Sequence, residues 1–356
     1  MKEGIQRVAI LDAAARSLGV AASLAVRGCA VRLFDRQTDN LAAIAQAGGV
    51  HVEGSLAEGF VPFETVTDDA AAALDGCQLV VCTATADEQA PLARLVAPHL
   101  RPGMILLLTT GSAGTLEVAP ILRAAGLDIE RDVLLGETSN HPQSARITGP
   151  ATIRTRPPHH TRLAAFPGKN TPRLAEALQG LMSFRLAPNV LDTGLNNVNF
   201  IIHPGPMLLN YGAVERADGQ LSLMNEGMTP GVLRLMDALD GEKMAVVAAL
   251  GLQPASVDEL YVEFGSSPAV YREKGEPFGI KDRIHRRYIT EDAPYGTVML
   301  ASFGRLLGVP TPIAEAINKL LSILEETDFY AQGRTVERLG LAGMRPDDIK
   351  AFLQAG

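Results

Sequence analysis

The chain has 356 residues, 47% of them apolar and 20% charged, with a formal net charge of −8. That length suits about two domains, and that balance suits a soluble globular protein. No apolar run approaches the roughly 18 residues of a membrane span, and an acidic balance without Lys/Arg blocks or tryptophan argues against nucleic acid as a partner.

In chain order, MKEGIQRVAILD leads directly into a strand-like run at 8–11, without the apolar core and small-residue cleavage site of a secretory leader. Further short apolar strands are predicted at 30–34, 79–83, 104–109 and 133–135, with helices at 41–47, 88–98 and 113–125. Such alternation predicts a parallel sheet covered on both faces. Cys29, Cys77 and Cys82, an odd set without metal-ligand spacing, read as buried thiols in a reducing cytoplasm. From 146 to 166 the pattern turns more β-like, and beyond Asp192 the alternation all but vanishes. The boundary is therefore set near residue 190: 1–190 is a Rossmann-like α/β domain and 191–356 a mainly α-helical one. A cleft between two such domains is a common small-molecule site.

Thr171-Pro172, Thr229-Pro230 and Thr311-Pro312 each announce a helix, threonine as the cap and proline at the first helical position. After the last pair, Ile313, Ile317, Leu320, Leu321 and Leu324 share one helical face. The apolar helical half leaves room for a homodimer interface. Asp237, Asp240 and Glu242 lack metal-ligand chemistry around them and read as a solvated face; RIHRRY (283–288), taken alone, reads as a solvated basic one.

The first βα turn raises a question. In a dinucleotide fold it offers helix N-terminal N–H groups to the pyrophosphate, using G-x-G-x-x-G. Here the turn after Leu11 runs Asp12-x-Ala14-x-x-Ser17, with Gly19 two residues later. The context survives: strand, turn, helix, second strand and an acidic residue about 20 positions on. That residue, Asp35, suits adenosine ribose hydroxyls, its alternative being a surface aspartate at a strand end. Arg36 beside it suits a 2′-phosphate, so both NAD and NADP stay open, with a lean to NAD. Ala14 adds a methyl where phosphate approaches backbone, and Asp12 adds negative charge, with Arg16 or the Ser17 hydroxyl as offsets. Cofactor binding weakened by very roughly 5- to 150-fold is expected. TATADEQ (83–89) and TTGSAG (109–114) follow later strands at the carboxyl edge, where ligands collect.

In the helical half, GLNNVNFIIHPGPMLLNYGAVE (194–215) interleaves Asn196, Asn197 and Asn199 with apolar residues before His203-Pro204 breaks the run. Proline pushes its predecessor out of helical geometry, so an apolar helix is expected to deliver an imidazole at its end. This block, with NEGMTPGVLRLMDALDGEKMAVVAALG (225–251), RRYITEDAPYG (286–296), GVPTPIAEAI (308–317), GRTVERLGL (333–341) and GETSNHPQSARITGP (136–150), resembles the octopine/nopaline-type opine dehydrogenase family. The resemblance covers most of 130–345; the first half agrees in layout and departs at the glycine loop.

The resemblance implies NAD(P)H-dependent joining of an amino acid's amine to an α-keto acid through an imine. It makes His203 the catalytic histidine, Asp292 its partner carboxylate and Arg287 the clamp on a substrate carboxylate. The chemistry suits these residue types: imidazole for proton transfer near neutral pH, a guanidinium fork for a carboxylate. Asn197, shortly before His203, is either a substrate contact or a satisfied helix amide. Glu137, after the last strand of the first half, either approaches the nicotinamide or serves the fold. The alternative activity is a non-redox enzyme on the same scaffold with impaired dinucleotide binding; a ligand-binding protein without catalysis is the third reading.

Overall fold

The computed structural model describes residues 4–36, 38–218, 221–273 and 286–356. By Cα proximity they divide into a first unit, residues 1–193 with 352–356, and a second, residues 194–351.

The first unit is built on β1 (Arg7–Leu11), whose last four residues are buried. Parallel to it on one side lie β2 (Ala30–Phe34) and then β5 (Thr65–Thr67); on the other lie β6 (Leu79–Cys82), β7 (Met104–Thr109) and β8 (Val133–Thr138). β11 (His160–Ala165) joins β8 antiparallel and carries β12 (Ser183–Leu186) at the sheet edge. Helices α1 (Ala15–Val26), α2 (Thr38–Ala47), α3 (Ala70–Leu74), α4 (Ala86–Val96), α5 (Thr115–Ala124) and α6 (Thr171–Leu178) connect the strands. The core strands are continuous Val/Ile/Leu runs, as burial on both faces demands. A second sheet, β4 (Gly59–Pro62), β3 (Gly49–Gly54), β10 (Thr152–Thr155) and β9 (Ala145–Gly149), has no counterpart in the sequence reading before residue 146. Its glycines and half-exposed alternation hid it.

Cys29, Cys77 and Cys82 are free and buried, and burial pushes the Cys77 thiol up to about 11 and the Cys82 thiol up to about 12.

The second unit is helical: α7 (Val190–Leu195) leads into it, followed by α8 (Asn199–Ile202), α9 (Pro204–Arg216), α10 (Pro230–Ala249), α11 (Val257–Glu263), α12 (Ala269–Arg272), α13 (Arg287–Thr290), α14 (Val298–Leu307) and α15 (Pro312–Leu324). All three Thr-Pro pairs open helices, but no threonine side chain caps one. Thr171 lies inside its helix and accepts from the Ala165 N–H at 3.0 Å instead. At α15 the cap is remote: Glu242 accepts from the Ile313 and Ala314 N–H groups at 2.7 and 2.9 Å.

This corrects the solvated-face reading of the acidic stretch. Glu242 is half-buried and Asp240 is buried, paired with fully buried Lys243 at 2.6 Å and accepting from the Val257 N–H at 2.9 Å, which ties α10 to α11. Only Asp237, half-exposed and paired with Arg272, keeps a surface role. The predicted apolar face of α15 was drawn too wide: Ala314, Ile317, Asn318 and Leu321 are buried, while Leu320 and Leu324 are 49% and 42% exposed. Because a carboxylate on two first-turn N–H groups satisfies orphan donors and meets the positive end of the helix, Glu242→Ala is expected to cost about 1–2 kcal/mol. A thermal unfolding midpoint unchanged from the parent would mean that Pro312 alone sets the start of α15.

Candidate active site

Two clusters of candidate residues emerge, one in each unit. In the first unit, Asp12 occupies the place of the first glycine and takes a glycine's backbone, φ +98°. Such a conformation is costly for a residue with a Cβ, though aspartate tolerates positive φ better than most. Its side chain folds back onto the turn. One oxygen accepts from the Ala14 N–H at 3.0 Å and the other pairs with Arg16 Nη2 at 3.0 Å. Burial holds the Asp12 carboxyl above the usual carboxylate range, against the pull of Arg16. Asp35, at the end of β2, accepts from the Ala13 N–H at 3.0 Å.

Arg16 also donates from Nε to the Thr83 carbonyl at 2.6 Å. Ser17 is fully buried and accepts from the Thr83 hydroxyl at 2.7 Å, so it locks α1 to the end of β6 and faces away from open space. Arg36 is ion-paired with Glu88 of α4. Asp12, Ala14, Arg16, Asp35, Arg36, Thr85 and Glu88 line a recess of about 290 Å³.

The next loop along this edge is strained. Thr110, Ser112 and Ala113 all have positive φ, at +57°, +49° and +62°. Glu137 of β8, fully buried, holds it in place: it accepts from the Ala113 N–H (2.9 Å), the Thr115 N–H (3.1 Å) and the Thr115 hydroxyl (2.8 Å), and bonds the Thr193 hydroxyl (2.7 Å). Only glycine fits at 111, where a Cβ would lie 2.3 Å from that of Glu137. A carboxylate engaged in this way shapes the loop; its burial does not present it to a nicotinamide. The Thr110 hydroxyl is buried without a partner. Helix N–H groups, a guanidinium and an unpaired hydroxyl on the next loop as donors, with an acidic residue closing β2 as acceptor, form a set that fits a dinucleotide.

In the second unit, α8 is one turn long, and His203 is both its last flank and the residue before Pro204 of α9. It stays in the right-handed region at φ −107°, ψ −67°, and its carbonyl accepts the Met207 N–H at 2.8 Å. The imidazole thus sits at the junction of two helices, ending the short apolar α8 as expected and opening the longer α9. His203 Nδ1 meets Asp292 Oδ2 at 2.8 Å, with both side chains largely buried. Gly296 makes this approach feasible: a Cβ there would fall 2.2 Å from the Phe200 Cβ, so α8 and the turn after Asp292 pack backbone to side chain.

Tyr288 stacks on the imidazole, ring centroids 3.8 Å apart and planes 12° from parallel. Arg287 lies 5.5 Å from the Tyr288 ring, pairs loosely with Glu291 at 3.3 Å and is 40% exposed. Asn197 accepts the Asn199 N–H at 2.9 Å and so starts α8. Its neighbour Asn196 is 1% exposed, with neither amide atom partnered. Arg283, Ile284 and His285 of the basic run lie outside the described residues.

Residues 186–324 match the family model described as NAD/NADP octopine/nopaline dehydrogenase, alpha-helical domain. An opine dehydrogenase from Arthrobacter sp. (strain 1C) is 32% identical over 344 residues, 94% of this chain and 95% of the relative. The chain belongs to the opine dehydrogenase family. It is therefore an NAD(P)-dependent oxidoreductase acting on CH–NH bonds by reductive condensation. Its fold is that of an octopine dehydrogenase solved with NADH and L-arginine (TM-score 0.72, 16% identity, 99% of this chain and 98% of the other). It is likewise that of a yersinopine dehydrogenase solved with NADP+ (TM-score 0.69, 16% identity, 99% of each).

Sequence reasoning passed over Tyr288 and Glu88. For Tyr288 a signal existed: it stands four residues before Asp292, a spacing that brings side chains to one helical face. No comparable signal marks Glu88, whose partner Arg36 is 52 residues away. No described helix is long and apolar enough to cross a membrane.

Proposed function

We propose that this opine dehydrogenase joins the amine of an amino acid to the carbonyl of an α-keto acid, with His203 carrying protons, Asp292 orienting it and Arg287 gripping a substrate carboxylate. The observation that carries this reading is the 2.8 Å His203–Asp292 pair beneath the Tyr288 ring, with an accessible guanidinium next to that ring. A carboxylate only accepts, so Nδ1 of His203 bears a proton and Nε2 is the working atom. Nε2 takes the proton that an ammonium must lose before its nitrogen attacks a carbonyl, and returns one as the adduct loses water. A nicotinamide dinucleotide, when held in the recess of the first unit, would supply the hydride that reduces the imine. Relatives in fold were solved with L-arginine and with pyruvate, an amino acid and a keto acid, which supports the same two substrate classes here.

In the recess, Asp35, proposed to meet the adenosine ribose, is joined by a second carboxylate, Glu88, which already engages Arg36. A 2′-phosphate would meet that negative charge, so NAD is favoured over NADP. The three thiols, all reduced and buried, suit a cytoplasmic enzyme.

The test is oxidation of NADH, and of NADPH in parallel, by amino acid and keto acid panels. Arg287→Ala is expected to raise the apparent KM of the carboxylate substrate about 30- to 300-fold, and Arg287→Lys to restore it only in part, because a lone ammonium lacks the two-pronged fork. Equal losses for substrates with and without the carboxylate would remove Arg287 from this role. NADH consumption dependent on neither co-substrate would remove the condensation itself.

A further inference from the structure

We propose that Asp12 and Arg16 form an exchangeable ion pair in which the Asp12 carboxylate stands in for a phosphate at the start of α1, and that a bound dinucleotide takes Arg16 over from it. The inference rests on the dinucleotide reading of the recess and answers the question posed by the missing glycines.

Three observations carry it. The turn keeps the backbone a glycine would give, at φ +98°, so the loop is shaped for phosphate even though its side chain is not. That side chain lies beside the position where an anion is wanted, accepting the N–H of Ala14, the residue that caps α1. The first-turn N–H groups of a helix have no partners within it and attract negative charge. Arg16, finally, is hinged. Its Nε is anchored on the Thr83 carbonyl at 2.6 Å, while Nη2 alone reaches Asp12, so the fork can change anions without losing its anchor.

Charge makes the exchange necessary. Asp12 is faced by Arg16 and the Ser17 hydroxyl on α1, by Asp35 and Arg36 after β2, by Glu88 on α4, and by Cys82 on β6. Three carboxylates therefore oppose two guanidiniums before any pyrophosphate arrives. With phosphate on Arg16, the Asp12 carboxylate loses its counter-ion beside a second anion, in a partly buried position. It relieves this by taking up a proton, and burial already raises its proton affinity. The sign follows: if Asp12 holds its proton more tightly in the complex than in the free protein, affinity for the dinucleotide rises as pH falls through the interval between the two titration points.

The experiment is calorimetric titration of the whole protein with NADH, in buffers of different ionisation heat, for the parent, Asp12→Asn, Arg16→Met and the double variant. Asparagine keeps an acceptor for the Ala14 N–H and tolerates positive φ, so the turn is preserved; matching thermal midpoints check this. Asp12→Asn is expected to tighten NADH about 5- to 100-fold and to abolish the proton uptake seen with the parent. The deciding comparison is Arg16→Met in the Asp12→Asn background. If Arg16 passes to the phosphate, the loss there is about 10-fold or more. If Arg16 serves only to neutralise Asp12, nothing is lost, and the proposal is overturned. Equal NADH affinity in the parent and Asp12→Asn, or equal proton uptake in both, also overturns it. Failure of every variant to bind at millimolar NADH would instead bring down the dinucleotide reading, and this proposal with it.

Discussion

Replacing His203 by alanine is expected to lower kcat at least ~100-fold while leaving the NADH dissociation constant within about twofold. The split between the two measurements matters more than the size of the loss. His203 belongs to the second unit, and its recorded partners, Asp292 and Tyr288, belong to that unit as well. The recess assigned to the dinucleotide is lined entirely by residues of the first unit. Truncating the imidazole removes the group proposed to deprotonate the ammonium and leaves every lining residue of the recess unchanged. It also leaves Tyr288 without its stacking partner and Asp292 with an unmatched, largely buried oxygen. A modest loss of stability is therefore expected, and activity is to be compared at a temperature where both proteins are folded. Turnover within threefold of the parent, in single-turnover experiments where chemistry is observed directly, would take proton transfer away from His203.

The two units differ in how much of their structure is legible in the sequence. Strands β1, β6 and β7 are legible because a parallel strand buried on both faces must be a continuous apolar run, and little else in a globular chain looks like that. In the second sheet only β9 and β10 show, as the β-like pattern from 146; β3 and β4 are not legible, since Gly49–Gly54 and its neighbours are half-exposed and owe their pairing to β10, which arrives about a hundred residues later. The departure at Asp12 is visible as a missing glycine, but its consequence is not. That the backbone would keep a left-handed turn, and that the carboxylate would close on Arg16, depends on β2 and β6 lying on either side.

The His203–Asp292 pair spans 89 residues and becomes legible only through resemblance to a family, because neither local periodicity nor spacing can link partners so far apart. Misreadings have the same origin. Glu242 looked solvated because its partner, the start of α15, comes from a distant turn of chain, and Asp240, though its ion partner Lys243 is local, is buried by contacts such as the Val257 N–H that the fold brings to it. An acidic residue is solvated or structural according to what the fold brings to it, and composition is blind to that.

Exchanging Asp292 for asparagine isolates the orienting role from the packing role, since the two side chains are nearly isosteric. The asparagine amide can meet His203 Nδ1 in two ways. If its oxygen faces the ring, the Nδ1–H tautomer survives and Nε2 still accepts a proton, but no charge remains to stabilise the imidazolium that results. If its nitrogen faces the ring, Nδ1 becomes the acceptor and Nε2 carries the hydrogen, which is the wrong tautomer for a base. Either arrangement is costly, and a loss of about 10³–10⁴-fold in kcat is expected where a carboxylate orients a catalytic imidazole. A purely structural Asp292 would behave otherwise: the hydrogen bond and the volume are kept, so activity would fall only in step with folded fraction. The outcome that removes Asp292 from the mechanism is an Asp292→Asn protein with parental thermal midpoint, parental NADH affinity and kcat within a few-fold of the parent.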